Sequence, residues 1–487
     1  MAEKFYITTS IPYTNAAPHI GFALEIIQAD ALARYSRKKG LDVFFLTGTD
    51  EHGLKTLRAA EALGKETMEF ANEVSDKFKE LAKVLNISND DFIRRTEEKR
   101  HKEAVYKLWE IYKEKGDIYK KKYKGFYCAG CEAFKTQKEL INGKCTIHQK
   151  RVEEIEEENY FFKLSKYLPE IKKIIETDKI KIIPESKKNE ILGMIEQGME
   201  DVSFSRAKEK YWSWPVPGDD SQVFYVWQDA LPNYISGIGY ADNGKKFKKY
   251  WPADVHCIGK DIVKFHAIYW PAMLLSAELK LPKSIFVHGF INVGGQKMSK
   301  SLGNVINPFE LVKKYGVDAV RYYLLREILP TEDGDFTFEK FEQRYNSDLA
   351  GGIGNLVART LGISSKILNF KFEILNKCSN SKLSKQIKKT QKKYKLAIED
   401  FKFNEALADI WELISFCDKY INEEKLWETL STSSGQAKKS EVINDLFFSL
   451  REISDLLVPF LPETSEKIKK AVEIGKSEPL FPRIILS

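Results

Sequence analysis

Three cysteines and one histidine have the spacing of a metal site. The pattern C-x2-C-x13-C-x2-H is formed by Cys128, Cys131, Cys145 and His148. Thiolate and imidazole ligands at this spacing are typical of tetrahedral zinc, and four protein ligands leave no position open for catalytic water. A DNA-reading finger would need a second histidine, and the acidic run EEIEEE (153–158) that follows is unfavourable beside phosphate. We therefore expect a structural zinc knuckle.

A second group of residues is suited to binding phosphate. The stretch PHIG (18–21) places a histidine at the start of a predicted helix, where free N–H groups and the helix dipole attract anions. The stretch GGQKMSKS (294–301) supplies a glycine pair, two lysines and two hydroxyls in a loop that can close over a triphosphate. There is no GxxxxGK[ST] segment, and no GxGxxG follows the first strand. PHIG and GGQKMSKS together therefore indicate phosphoryl or nucleotidyl transfer, and the missing GxGxxG argues against a dehydrogenase.

The polar clusters all follow predicted strands. Strands are predicted at 5–11, 42–48, 224–230, 253–259 and 284–291. The clusters after four of them are Pro12-Tyr13 with PHIG, TGTDEHG (47–53), Gly259-Lys260-Asp261 and NVGGQKMSKSLGN (292–304). An open parallel sheet binds its ligands at the C-terminal ends of its strands. These clusters therefore predict one ligand-binding edge.

The order of the elements predicts an α/β protein with a helical C-terminal part. Helical patterns at about 20–40, 55–85, 97–116 and 261–279 alternate with the strands, which indicates one parallel sheet. The zinc segment interrupts this order and predicts a domain inserted at about 118–211.

From about residue 345 the pattern is helical throughout. Two apolar faces recur at helical spacing, one of Phe403, Leu407, Ile410, Trp411 and Ile414, the other of Val442, Leu446, Leu450, Ile453 and Leu457. Between 376 and 395 there are eight lysines and no acid, which suits a solvated helix face or linker, or else contact with a nucleic acid. STSSGQAKKS (431–440) predicts an exposed loop.

Composition describes a soluble globular protein of about three domains. Of 487 residues, 43% are hydrophobic and 30% charged, and no run approaches the ~18 apolar residues that cross a bilayer. The start, MAEKFYITTSIPY, lacks the layout of a signal peptide, so we expect a cytoplasmic location. The net charge of +7 permits a polyanionic partner, and six cysteines are too few for a disulfide scaffold.

The phosphate motifs resemble the two signatures of class I aminoacyl-tRNA synthetases. PHIG is similar to the HIGH signature, with Phe22 in place of its final histidine, and KMSKS (297–301) matches the second signature in full. The resemblance narrows to the methionyl-tRNA synthetase family and covers essentially the whole chain. It is carried by IPYTNAAPHIG, GTDEHG, YVWQDAL, IGKDIVKFHAIYWPAML, FVHGFINVGGQKMSKS, GNLVART and the zinc segment with EENYFFKLSKY.

This resemblance implies a two-step reaction and a site for each substrate. Methionine and ATP, with Mg²⁺, would form methionyl-adenylate, and the methionyl group would pass to the terminal adenosine of tRNA(Met). The implied catalytic residues are His19, Lys297 and Lys300. The implied ATP-binding residues are Pro18, His19, Gly21, Gly259, Lys260, Asp261, Lys297, Met298, Ser299, Lys300 and Ser301. Catalysis would depend mainly on orientation and charge stabilisation.

The resemblance also implies a methionine pocket and an anticodon contact. The implied pocket residues are Ile11, Tyr13, Asp50, Trp227, Tyr234 and His288, with Asp50 binding the ammonium group and the aromatic rings enclosing the thioether. The implied anticodon residues are Asn355, Arg359 and Trp427, with Trp427 stacking on a base. Leu231 and Leu426 stand where relatives have proline.

Two alternatives and a division into domains follow. Another class I synthetase, for example for a branched-chain amino acid, would need a larger editing insert than the roughly 90 residues here. A tRNA-binding paralogue without activity would not need His19, Lys297 and Lys300.

We predict a Rossmann-type catalytic domain in two halves (1–117 and 212–325), the zinc-bearing insert (118–211), a linking stem-contact segment (326–348) and a helical anticodon-binding domain (349–487). Because no further domain follows, we expect a monomer.

Overall fold

The structure is a computed structural model that describes residues 3–130, 133–135, 137, 140–146, 149–298, 303–367, 378–427, 433–476 and 478–485. It divides into two compact units. The first, here the sheet unit, consists of Met1–Pro18, Lys39–Lys83 and Ser88–His288. The second, here the helical unit, consists of His19–Lys38, Val84–Ile87 and Gly289–Ser487.

The sheet unit is built on a parallel sheet of six strands. In spatial order these are Asp91–Arg94, Asp42–Thr49, Lys4–Thr9, Val255–Gly259, Ser284–His288 and Lys181–Ile183. All five neighbouring pairs are parallel. The strand order reverses between Lys4–Thr9 and Val255–Gly259, the position at which open α/β sheets bind ligands. The Rossmann-like parallel sheet predicted from the sequence is confirmed.

The strands form because their residues are apolar on both faces. Ile7, Phe45 and Ile258 are buried, as expected where helices cover both faces of a parallel sheet. The α-helices of this unit are Leu54–Glu61, Thr67–Val84, Glu103–Glu114, Leu168–Glu176, Glu185–Glu196, Val226–Ala230, Asn233–Ser236, Lys245–Tyr250 and Trp270–Ser276. Short 3₁₀ or π-helical turns lie at Glu98–Lys102, Leu164–Lys166, Lys208–Lys210, Lys260–Ile262 and Phe265–Tyr269.

Three smaller sheets complete this unit. One has four strands in the order Val202–Ser203, Glu153–Phe162, Ile118–Cys128 and Ala133–Lys135, and the others are Ser205–Ala207 with Asp219–Phe224 and Pro215–Val216, and the hairpin Leu140–Ile141 with Lys144–Cys145. The acidic run lies opposite lysines of the neighbouring strand, with Lys122 across from Glu158 and Lys124 across from Glu156. Cross-strand opposite charges stabilise such pairing. The negative charge of the run is therefore balanced within its own sheet.

The range predicted as an insert, 118–211, also supplies a strand of the parallel sheet. Lys181–Ile183 pairs with Ser284–His288 and forms one edge of that sheet. The helices on either side, Leu168–Glu176 and Glu185–Glu196, bury Ile171 and Ile191 in the same core.

One predicted strand is wrong. The run FYVWQDA (224–230) was predicted as a strand, but the strand Asp219–Phe224 ends where the run begins and Val226–Ala230 is helical. A short, continuous apolar run suits a buried strand and a buried helix equally, because neither leaves a polar face to mark its period.

The helical unit has ten helical segments in its described part. They are Ile20–Lys38, Pro308–Tyr315, Val317–Arg326, Phe338–Arg344, Tyr345–Gly354 (π-helical), Asn355–Ile367, Ser381–Glu399, Phe403–Glu423, Ser433–Leu457 and Pro462–Ile474. Its strands are Ile291–Val293, Gln296–Lys297 and Gly334–Phe336. Leu407, Ile410, Leu450 and Ile453 are buried, which confirms the helical C-terminal part and its two apolar faces.

The predicted loop at 431–440 is wrong for its described part, because a helix begins at Ser433. Serine and glycine favour loops, but the long apolar face further along the helix outweighs this local preference. The aliphatic part of Lys439 is buried, and its Nζ donates to the Leu426 carbonyl.

A buried arginine holds the separate segments of the helical unit together. Arg321 donates to Asp30 Oδ2 at 2.7 Å, to the Leu85 carbonyl at 3.1 Å, and to the Pro459 and Phe460 carbonyls at 3.0 and 2.7 Å. Hydrogen bonds to a charged group are stronger than neutral ones. They fix the helix that begins next to His19.

Among the described helices, none is long and apolar enough to span a bilayer.

Candidate active site

A cavity of about 790 Å³ opens in the sheet unit beside the C-terminal ends of its central strands. Four residues predicted for substrate binding line it, namely Tyr13, Trp227, Lys260 and Asp261. Lys260 and Asp261 directly follow the strand Val255–Gly259. The structure thus brings predicted methionine and ATP residues to one cavity.

Aromatic rings form one wall of this cavity. Trp227 stacks on Phe265, with 3.8 Å between ring centroids and 8° between planes. Its Nε1 is buried and has no hydrogen-bond partner among the described residues. Tyr234 is buried nearby, and its hydroxyl lies 2.6 Å from His266 Nε2. These rings offer an apolar, polarisable surface of the kind that suits a thioether.

The remaining predicted pocket residues lie in the same unit. Ile11 and Tyr13 are half-buried and pack against the sheet core. His288 is buried at the end of its strand, close to Gly259. A Cβ on Gly259 would lie 3.7 Å from His288 Nε2 and 3.0 Å from Asp261 Oδ1. A side chain at this glycine would therefore crowd Asp261 and narrow the space beside His288.

Asp50 is held at the end of its strand by its own backbone. Its N–H donates to the Pro12 carbonyl at 2.8 Å, and its carbonyl accepts from the Thr14 N–H at 2.9 Å. The carboxylate is buried and forms an ion pair with Arg95. Asp50 and Tyr13 are thus joined across two neighbouring strand ends.

The carboxylate of Asp229 lies on the other side of Arg95. Arg95 Nη2 donates to its Oδ2 at 2.6 Å, and His52 Nδ1 and His101 Nε2 lie 2.6 and 2.9 Å from its two oxygens. Burial acts to raise the pKa of Asp229, but the charge of Arg95 and the contacts of both histidines outweigh it and hold that pKa well below its ordinary value.

Sequence reasoning missed Arg95, Asp229, His52 and His101. His52 and Asp229 stand inside quoted motifs, GTDEHG and YVWQDAL, and for Asp229 a charged residue in an apolar run was the available signal. Arg95 and His101 lie outside these motifs.

The start of the predicted phosphate-binding helix lies in the helical unit. His19 Nδ1 accepts a hydrogen bond from the Gly21 N–H at 3.0 Å. Its side chain remains exposed, although partial desolvation lowers the pKa of His19. A Cβ on Gly21 would lie 2.8 Å from His19 Cε1 and 3.7 Å from Met298 Cε, so only glycine fits here without displacing the histidine.

Residues on both sides of positions 299–302 lie close to this helix. Met298 lies beside Gly21, and the Ile20 N–H donates to the Ile306 carbonyl at 3.2 Å. The structure therefore brings the two signatures together within one unit. The predicted residues Ser299, Lys300 and Ser301 lie outside the described residues. Pro18 is buried and belongs to the sheet unit.

A tight hairpin places Lys297. Gly294 and Gly295 have φ values of 59° and 76°, as a two-residue type I′ turn requires. The turn pairs Gln296 and Lys297 with Val293 and Asn292. Lys297 is exposed, with its Nζ 5.2 Å from the centre of the Phe290 ring.

Two of the predicted anticodon residues lie on the helix Asn355–Ile367 of the helical unit, and the third follows the helix Phe403–Glu423. Arg359 donates to Asp418 Oδ1 at 3.1 Å and to Asn422 Oδ1 at 2.8 Å, which joins its helix to the end of Phe403–Glu423. Trp427 follows that second helix with 57% of its surface exposed. Asn355 is half-buried at the start of the first helix.

Two of the four predicted zinc ligands are described. Cys128 ends the strand Ile118–Cys128, Cys145 ends Lys144–Cys145, and both are buried. Cys131 and His148 lie outside the described residues. In the part of the chain that the structure describes, no three or more His, Cys, Asp or Glu side chains are arranged so that they could hold a metal ion.

Comparisons with known proteins agree with this arrangement. The family of class I tRNA synthetases (M) matches residues 5–139 and 131–361, and the anticodon-binding domain of tRNA ligases matches residues 380–482. A parallel sheet with both signatures, followed by this helical domain, defines a class I aminoacyl-tRNA synthetase.

The curated relatives and solved structures narrow the class. Methionine–tRNA ligase of Thermotoga maritima is 44% identical over 96% of this chain and 75% of the relative, and that of Brucella suis is 40% identical over 100% and 95%. Mycobacterium tuberculosis methionyl-tRNA synthetase bound by methionyl-adenylate superposes with a TM-score of 0.90, 36% identity and 99% coverage of both chains. The chain belongs to the methionyl-tRNA synthetase family, as the sequence predicted.

Proposed function

We propose that the chain is a methionine–tRNA ligase that works in two steps. Methionine and ATP form methionyl-adenylate and pyrophosphate, and the methionyl group then passes to the 3′-terminal adenosine of tRNA(Met). Identity of 40–44% to methionine–tRNA ligases over nearly the whole chain supports this function. The other class I synthetases and the inactive paralogue find no such support.

Methionine binds in the sheet unit in this proposal. Asp50 binds the ammonium group, because its carboxylate is buried and its backbone is bridged to Tyr13 of the cavity wall, and a buried carboxylate favours a cation. The thioether lies among Trp227, Tyr234 and His288, with Ile11 and Tyr13 completing the wall. The unpartnered Nε1 of Trp227 gives this wall one donor that can reach a polar atom of the substrate.

ATP is bound through His19, Gly21 and the KMSKS loop, with Pro18 before them and Gly259, Lys260 and Asp261 in the cavity. Because His19 Nδ1 accepts the Gly21 N–H, the neutral ring carries its proton on Nε2. The lowered pKa of His19 favours this neutral form, which donates to a phosphate oxygen. Lys297 and Lys300 stabilise charge that develops on the phosphates, and Met298, Ser299 and Ser301 are the further ATP-binding residues that the resemblance implies.

Mg²⁺ accompanies ATP as part of the substrate and would be held mainly by phosphate oxygens and water. The described residues assign it no protein ligand. The attacking carboxylate belongs to methionine, so no side chain of the protein needs to act as a nucleophile. Rate enhancement then comes from placing two bound substrates correctly and from stabilising charge.

The helical domain binds tRNA(Met) at its anticodon. Arg359 is fixed to Asp418 and Asn422, so its guanidinium has a defined position from which to contact a base. Asn355 lies four residues before it on the same face, and Trp427 offers an exposed ring for stacking.

Zinc stiffens the segment 128–148 in this proposal. Cys128 and Cys145 both end strands and are buried, which suits thiolates that share one ion with Cys131 and His148. The proposed domains are those predicted from the sequence, namely 1–117, 118–211, 212–325, 326–348 and 349–487. The monomeric state and the cytoplasmic location also stay predictions.

The decisive experiment measures exchange of labelled pyrophosphate into ATP. We expect exchange to depend on methionine and to be much slower with leucine or isoleucine. Faster exchange with either of those amino acids would overturn the assignment, and an Asp50→Asn variant with an unchanged KM for methionine would overturn the role of Asp50.

A further inference from the structure

Arg95 is a fully buried arginine whose only charged partners among the described residues are two carboxylates. Its Nη1 donates to Asp50 Oδ1 and its Nη2 to Asp229 Oδ2, the latter at 2.6 Å. The three residues come from separate parts of the sheet unit. Asp50 follows the strand Asp42–Thr49, Arg95 follows Asp91–Arg94, and Asp229 lies in the helix Val226–Ala230.

Asp229 serves as an anchor rather than as a substrate ligand. Besides Arg95 it has His52 Nδ1 at 2.6 Å, His101 Nε2 at 2.9 Å and Ser213 Oγ at 3.1 Å. These contacts occupy both of its oxygens. A carboxylate so fully bonded is held rigidly and fixes one end of the guanidinium.

Asp50 differs from Asp229 in the number of its bonds. Among the described residues, Arg95 supplies the one side-chain hydrogen bond to its carboxylate, and that bond goes to Oδ1. Oδ2 is therefore available for the ammonium group that we assign to Asp50. Because the arginine fork is planar, anchoring one nitrogen on Asp229 also fixes the direction in which Asp50 points.

The charges lead to the same conclusion. Two carboxylates and one guanidinium carry a net charge of −1, which a single ammonium group neutralises. Without the guanidinium, two carboxylates would lie close together in a buried site, and their repulsion would favour protonation of one of them. Asp229 keeps its two histidine contacts, so Asp50 would be the one to protonate.

We propose that Arg95 is a positioning residue for methionine, which is anchored on Asp229 and keeps Asp50 ionised with one oxygen directed at the substrate ammonium. The inference rests on the proposed role of Asp50 and adds a residue to it. Arg95 itself does not contact the substrate in this proposal.

The test compares variants by methionine-dependent pyrophosphate exchange from acidic to mildly alkaline pH. Arg95→Gln should raise the KM for methionine at least about tenfold at the acid end of the range, because loss of the guanidinium favours the protonated form of Asp50, which does not bind the ammonium group. The KM should fall towards alkaline pH but stay above that of the unaltered protein, because Asp50 has lost the group that directs it, and the KM for ATP should not change. Arg95→Lys keeps the positive charge but not the planar fork. Its KM for methionine should therefore rise, but the pH range in which that KM increases on acidification, here the acid limb, should not shift.

A double variant separates charge from direction. Arg95→Gln with Asp229→Asn restores the net charge of −1, so the acid limb should return towards that of the unaltered protein while the KM stays raised. This variant also buries one carboxylate fewer, which protects folding. His52 and His101 lie beside Asp229, and burial together with the charge of Asp229 raises the pKa of Tyr106, so only the shift of the acid limb is scored.

Arg94 is the matched control. It is the neighbouring residue, and its Nε donates to Glu51 at 2.5 Å in a separate ion pair. Arg94→Gln should leave the KM for methionine and the acid limb unchanged.

Three results would overturn the inference. If Arg95→Gln had an unaltered KM for methionine and an unaltered acid limb while Asp50→Asn had a raised KM, the role of Arg95 would be refuted and the proposed methionine site would stand. Equal shifts in Arg94→Gln and Arg95→Gln would indicate a general structural effect. An unchanged KM in Asp50→Asn would remove the proposed ammonium partner and Arg95 with it.

Discussion

Replacing Trp427 by alanine should separate tRNA recognition from adenylate formation. The indole ring is 57% exposed after the helix Phe403–Glu423, so it has surface available to a base. Loss of one base stack costs about 1–3 kcal/mol, which corresponds to a rise of about 5- to 150-fold in the KM for tRNA. Pyrophosphate exchange should stay unchanged, because it requires no tRNA.

The neighbouring residue gives a contrast from the same segment. Leu426 is 2% exposed, so Leu426→Ala removes core packing and should lower the free energy of unfolding by about 2–5 kcal/mol. Trp427→Ala changes an exposed position, where substitutions usually alter stability by less than about 0.5 kcal/mol. Leu426→Ala should therefore lower stability, whereas Trp427→Ala should lower tRNA affinity and leave stability nearly unchanged.

The assays are steady-state charging of tRNA(Met), pyrophosphate exchange and thermal unfolding of each variant. Trp427→Phe retains an aromatic face and should keep part of the affinity. An unchanged KM for tRNA in Trp427→Ala would refute the stacking role. Equal losses of charging and exchange would show that the substitution damages the fold instead.

Three further predictions concern other parts of the molecule. Lys300→Ala should slow adenylate formation while sparing methionine binding, measured by exchange kinetics and by equilibrium titration with methionine, and unchanged exchange would contradict the proposed role of the loop. Removing zinc with a chelator should lower thermal stability, with metal content checked by elemental analysis, whereas unchanged stability together with unchanged adenylation would contradict a structural ion. The pKa of His256 lies well below 6.5 because burial and the nearby His266 disfavour its charged form. Since the unfolded chain then takes up a proton that the folded chain does not, the free energy of unfolding should fall as pH drops below about 6.5, and His256→Gln should lessen that fall in denaturant titrations.

The parts of the fold that follow local patterns could be predicted from the sequence. Lys4–Thr9, Asp42–Thr49, Val255–Gly259 and Ser284–His288 are short apolar runs that end in polar clusters, and each lies within a few residues of its predicted position. The edge strand Lys181–Ile183 could not be predicted, because three residues carry no detectable period.

The candidate site divides in the same way. His19 and Lys297 belong to contiguous motifs, so their residue types and spacing suggest their chemistry before any fold is known. Arg95 becomes informative only through Asp50 and Asp229, which lie 45 and 134 positions away. Single-sequence patterns describe neighbours in the chain, and such a pairing exists only once the strands are assembled.

The division of site residues between the two units has a consequence for catalysis. Asp50 and Trp227 belong to the sheet unit, whereas His19 and Lys297 belong to the helical unit, and the chain crosses between the units at five points that include Pro18–His19 and His288–Gly289. Residues that bind only one substrate affect the KM of that substrate alone, while groups that contact the forming bond affect kcat. In the proposed roles, substitutions at Asp50 and Arg95 should therefore change the KM for methionine and leave the KM for ATP unchanged.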